Sequence, residues 1–327
     1  MTAVPLPVVT HRPLWRTAQW IGLGLTVVLL VALILVPGPA LHILWDMVIP
    51  LLPAVFLVNP VIWRNVCPLA TLNELTSGRR TDGSIDGVLL RRAWTLGIVL
   101  LFVMVPARRF LFNEGGIPLA ATVTAVAVLA LIGGAVFARR AGFCGTICPV
   151  LPVEKLYGQS PIASVGSARC ADCTRCTSGG CIDLAGPKAI PQTLGPQRRE
   201  ATWVRTSFGA FAAAFPGFIL GYFTTPNGPL ASAATVYPRV LGASVASYVV
   251  IAVLALVLSV RAAIAMPLLG ASALGAYYWY ASKTLVDAYQ LPSGAIPVLR
   301  VVIGMVLVWW VMRALERTRG PVARTAG

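Results

Sequence analysis

Seven cysteines carry the chemistry that can be read in this 327-residue chain. Cys170, Cys173 and Cys176 are spaced C-x2-C-x2-C, and Cys181 follows them. In that spacing a tight turn wraps thiolates around one [4Fe–4S] cubane. The bacterial ferredoxin run ends C-x3-C-P, whereas this one ends C-x4-C-I, with one extra residue and no proline. Zinc is the competing occupant, but it usually takes two separated C-x2-C pairs or histidines. The two histidines, His11 and His42, are both far from the run. Cys144 and Cys148 form C-x3-C-P, and Cys67 is also followed by proline. Where a second C-x3-C-P would begin with cysteine, the chain has Trp63.

Seven cysteines divide as four plus three. In one arrangement Cys170, Cys173, Cys176 and Cys181 hold one [4Fe–4S] cluster. Cys67, Cys144 and Cys148 then hold a second iron–sulfur centre, with a non-cysteine fourth ligand or with three irons. In the other, Cys170, Cys173 and Cys176 take a remote Cys-Pro, Cys67 or Cys148, as two-cluster ferredoxins do, and Cys181 joins the remaining pair. Spacing does not choose between them. Helix-end packing is the bland alternative for Cys67, Cys144 and Cys148, because a free cysteine is a good small hydrophobe.

The elements that must position these cysteines are membrane helices. The chain is 57% hydrophobic and 11% charged, with a mean hydropathy of +0.80. A soluble domain carries about 25% charged residues. Several apolar runs reach the roughly 20 residues that span a bilayer, and they lack the alternation of a β-barrel strand. The fold class expected is all-α: a polytopic membrane protein of about eight transmembrane helices, in contact with membrane lipid. The spans fall at 17–36, 40–62, 93–107, 117–137, 206–224, 240–260, 262–281 and 296–313. The first apolar core is longer than that of a cleaved signal peptide, so it reads as a retained helix. Residues 1–137 form a first four-helix half with the Cys67 loop, residues 138–205 an iron–sulfur loop, and residues 206–327 a second four-helix half with a basic tail. No internal repeat is evident between the two halves.

The formal charge is +15. In a soluble protein this would suggest nucleic acid, but here the basic residues read as the positive-inside signal, and no nucleic-acid partner is expected. Eight spans put both termini and both cysteine loops on one side, with 21 of the 26 Lys and Arg residues. That side reads as the cytoplasm, in a bacterial inner membrane. Thiols there stay reduced, which favours metal or redox use over disulfides.

Arg139, Arg140, Lys155, Arg169 and Arg175 crowd the cysteines in sequence. Nearby cations would raise the potential of a negatively charged cluster. Topology puts His11 and His42 on opposite sides, so no haem b is expected within this chain. No dinucleotide-binding motif is present. The second half is rich in aromatics, among them Tyr222, Tyr277, Tyr278, Trp279 and Tyr280. They fit an interfacial aromatic belt, or a quinone pocket. Asp46, Glu114, Asp287 and Arg300 fall near the outer ends of spans.

Two cysteine-proline motifs at the ends of spans, followed by a ferredoxin-like run, resemble the NapH/NosR/CcoG family of membrane-bound ferredoxins. The resemblance covers roughly residues 40–185. Cys67, Cys144 and Cys148 match three of the family's four C-x3-C-P cysteines, and Cys170, Cys173, Cys176 and Cys181 match one ferredoxin motif. It implies [4Fe–4S] clusters and electron movement to or from membrane-bound or periplasmic reductases, or help in assembling metal centres. Trp63, the single ferredoxin run and the spans after 206 depart from the family.

The expected function is single-electron relay between a cytoplasmic or quinol donor and a membrane or periplasmic acceptor. Redox partner proteins, and a quinone, are the expected partners. The chain reads as a component of an oxidoreductase system, with no catalytic side chain of its own. A reductive assembly factor, and a transporter with a regulatory cluster, are the alternatives.

Overall fold

The computed structural model describes residues 12–76, 87–136, 142–163, 165 and 189–319. Cys170, Cys173, Cys176 and Cys181 lie outside the described residues, as do Arg139, Arg140, Arg169 and Arg175. All regular structure among the described residues is helical. Among the described residues seven helical segments are long and apolar enough to cross a membrane: Pro13–Leu35, Pro37–Val58, Gly116–Val136, Ser207–Thr224, Leu230–Val257, Ala262–Ala288 and Ala295–Arg317. The protein is therefore a multi-pass membrane protein. A shorter apolar stretch, Ala93–Ala107, closes a further helix. Leu25, Val28, Ile34, Val250 and Val308 stand exposed on these helices, as side chains facing lipid do.

The helices of the first half are α1 (Arg12–Leu35), α2 (Pro37–His42), α3 (Leu52–Val58), α4 (Pro60–Val66), α5 (Pro68–Thr76), α6 (Gly87–Ala107), α7 (Gly116–Val136) and α8 (Leu151–Tyr157). A π turn (Ile43–Val48) and a 3₁₀ turn (Ile49–Leu51) join α2 to α3. The second span was expected to run to residue 62 but stops at Val58. Asn59 is extended (φ −171°, ψ 118°), because the residue before Pro60 is pushed out of the helical region. Its side chain then accepts the Val61 N–H and caps the new helix α4. Other spans run past their expected ends, the last to Arg317 rather than 313.

Two compact units are present. One is residues 1–192 with 227–236, and the other is residues 193–226 with 237–327. In the first, α1 and α7 are antiparallel, and Gly116 backs onto the Leu33 carbonyl. At that end His42 Nδ1 lies 2.9 Å from Asp46 Oδ2, and Arg108 stacks over Trp45.

In the second unit, α9 (Ser207–Thr224) packs on α11 (Ala262–Ala288), and α11 on α12 (Ala295–Arg319); α10 (Ala233–Val257) supplies further cover. Phe208, Phe211, Phe215 and Phe218 recur at helical spacing and form a buried ladder of rings along α9. Trp203, fully buried, donates its indole N–H to the Val260 carbonyl at 2.9 Å. Arg300 stacks 4.2 Å over the Trp279 ring and donates to its carbonyl.

Candidate cysteine centre

The first unit contains two hairpins with cysteine-proline at their tips. One is α4, Cys67-Pro68 and α5. The other is the turn at 142–150, with Cys148-Pro149 at its tip, followed by α8. Pro60 lies against Gly158, and Arg64 meets Glu154, so α4 and α8 run antiparallel. Ala70 packs with Ala130, and Asn73 with Gly134, so α5 runs along α7 in the same direction. Ile162 and Ala163 donate backbone N–H groups to Leu57 and Val58, tying the open end of the second hairpin to the end of the second span.

These contacts set the tips back among the helices. A Cβ on Gly22 would stand 2.9 Å from the Val66 carbonyl, and one on Gly97 3.1 Å from that of Ile147. Gly22 is about 15 Å from the start of α1 at 1.5 Å per residue. The sequence placed Cys67, Cys144 and Cys148 in loops beyond the span ends. The structure corrects this: their segments turn back between α1, α6 and α7. Irregular backbone at such a level must be shielded by protein. It is: among the described residues, nine of the twelve buried polar side chains, including Asn59, Arg64, Asn65, Thr71 and Glu154, lie between residues 59 and 160.

Cys67, Cys144 and Cys148 converge. Cys67 and Cys144 belong to one buried cluster with Ala70, Ala130 and Phe143, and Cys148, Trp63 and Ile147 pack against it. None of the three is in a disulfide. The local chemistry explains the prolines. Pro68 cannot donate an N–H, so it starts α5 without leaving an orphan donor; α8 begins two residues after Pro149, at Leu151. The nearby amides of Ala70 and Leu69 favour negative charge on the Cys67 sulfur, and that of Val150 on the Cys148 sulfur.

Glu154 and Lys155 are each 2% exposed. Glu154 is held by Arg64 at 2.8 Å, while the Lys155 ammonium sits 3.7 Å from the Trp94 ring centroid. Lys155 was read from the sequence as a cation near the cysteines. Arg64, Glu154 and Asn73 were not read as part of the site.

No family model, no curated protein and no solved structure matches this chain. The reading of the site therefore rests on its own chemistry.

Among the described residues no three His, Cys, Asp or Glu side chains stand as ligands of a single metal ion. In a four-iron cubane each thiolate takes its own iron, so its ligands are spread more widely. Three cysteines outside any disulfide, gathered in a shielded cluster, suit such a group. The donor set is soft throughout, which favours iron–sulfur over hard cations.

Proposed function

We propose that this chain is an iron–sulfur electron-transfer protein of the membrane. The observation that supports it most is the convergence of Cys67, Cys144 and Cys148 from two separate cysteine-proline tips into one shielded cluster. In this reading they hold one iron–sulfur centre, and Cys170, Cys173, Cys176 and Cys181 hold a [4Fe–4S] cluster. Each group supplies one-electron chemistry when bound. The chain's own residues supply ligands, burial and charge: the Leu69, Ala70 and Val150 amides near the sulfurs, Arg64 and Lys155 nearby, and a wall of Trp63, Phe143 and Ile147.

Ala93–Ala107 is the eighth span in this reading. The positive-inside bias then puts the termini and the open ends of both hairpins in the cytoplasm of a bacterial cell. A redox partner protein, or a quinone, exchanges the electron, and the chain acts within a larger complex.

The deciding experiment is iron and acid-labile sulfide per chain in anaerobically purified protein, with EPR of the reduced form. Two centres are expected, one lost in Cys67→Ser and the other in Cys170→Ser. Zinc in place of iron, or iron unaltered in both variants, would overturn the proposal.

A further inference from the structure

Residues 63–76 and 144–157 align without gaps at an offset of 81 positions. WRNVCPLATLNELT lies over CGTICPVLPVEKLY. Cys67-Pro68 corresponds to Cys148-Pro149, Leu75 to Leu156, and the flanking apolar positions match. The structure repeats the correspondence. A short helix follows each cysteine-proline and runs back from the tip: α5 directly from Pro68, and α8 from Leu151, two residues after Pro149. In each copy the amide two residues after the cysteine, Leu69 or Val150, favours negative charge on its sulfur. The same positions are buried in both: Asn65 and Thr146, Ala70 and Leu151, Asn73 and Glu154.

The charges follow the same rule. Glu154 of the second copy is neutralised by Arg64 of the first. The equivalents of these two residues are Asn73 and Gly145. Where the arginine is missing, the buried carboxylate is an amide, since a lone buried carboxylate would be costly. The two hairpins are thus copies of one element, each supplying two corners to a shared site.

Three of those corners are Cys67, Cys144 and Cys148. The fourth, by equivalence with Cys144, is Trp63, whose indole packs against the cysteine cluster. We infer that the centre is a duplicated four-corner site in which Trp63 stands where a fourth thiolate would be. A cluster bound there has three protein thiolates and one iron left to a small exogenous donor such as water or hydroxide. Glu154, whose charge bears on both Cys67 and Cys148, is already engaged by Arg64 and is not counted as that donor. The open corner rests on the iron–sulfur reading above; the duplicated geometry does not.

The test is Trp63→Cys, with Trp63→Ala to isolate loss of the indole. In metal-free protein carrying Cys67→Ser, the introduced thiol should form an oxidative cross-link to Cys144 or Cys148, identified by mass spectrometry of the digested chain. In iron-loaded protein, limited ferricyanide should remove one iron per centre from the wild type and from Trp63→Ala, and none from Trp63→Cys. The introduced thiol should resist N-ethylmaleimide until iron is chelated. Absence of the cross-link would overturn the four-corner geometry. A cross-link with equal iron loss in all three proteins, or with a thiol that alkylates equally before and after chelation, would overturn the open corner. If Cys67→Ser and Cys148→Ser keep all their iron, the iron–sulfur reading of this centre fails and takes the open corner with it, while the cross-link still decides the geometry.

Discussion

Arg64 and Glu154, on the two different hairpins, meet at 2.8 Å with side chains only 6% and 3% exposed. The pair joins α4 to α8 directly beneath the cysteine tips. A shielded ion pair costs much to desolvate, and its worth shows when one partner is removed.

Glu154→Leu or Arg64→Met should each destabilise the protein by about 3–5 kcal/mol, because either breaks a buried ion pair. The double variant should recover most of that loss. Unfolding in detergent, followed by helix content, gives the comparison. Additive losses in the double variant would mean that the two residues act separately.

The cysteines must lose their protons to bind a metal, so metal loading should release protons and strengthen with pH. Proton release on anaerobic iron loading, followed in weakly buffered protein, checks this. Loading that releases no protons and does not vary with pH would show that the thiols are not the ligands.

Asn73 is fully buried, and neither its amide oxygen nor its nitrogen has a hydrogen-bond partner. Replacing an unsatisfied polar group by an apolar one of similar shape is near neutral or stabilising. Asn73→Leu should therefore match or exceed the wild type in thermal stability. A loss of about 1–3 kcal/mol, the cost of a broken buried hydrogen bond, would show that the amide is in use.

Gly142 packs face to face with Gly133, and an added Cβ would collide with the Gly133 carbonyl. Gly142→Ala should cost about 1–3 kcal/mol as overpacking and make Cys144 more reactive toward alkylating reagents. Gly24→Ala, where a Cβ meets nothing within 4 Å, should be tolerated. Equal behaviour of the two variants would argue against close packing of the tip on α7.

Much of the helical frame was legible because hydrophobicity reports it directly: seven apolar segments stand near their expected places. The end of the second span was missed because its apolar run continues through Val61 and Ile62, while the break comes from the backbone restriction before Pro60. The shared proline after Cys67 and Cys148 hinted that they play similar parts. Their withdrawal among the helices had no local signal, since it depends on how α4 and α8 pack. Glu154 and Asn73 look like ordinary helical polar residues until the two segments are laid over each other. Cys170, Cys173, Cys176 and Cys181 fall outside the described residues.

The depth of the tips has an electrical meaning. From Pro60 to Cys67 the chain climbs about 10 Å at the helical rise, roughly a third of a 30 Å hydrocarbon layer. Moving one elementary charge through the full field is worth about 2.3 kcal/mol per 100 mV. A charge carried from the open ends of the hairpins to their tips would sense roughly a third of that, about 0.8 kcal/mol per 100 mV. Occupancy of a centre held there would depend on membrane voltage, with a sign set by the face on which the hairpins open.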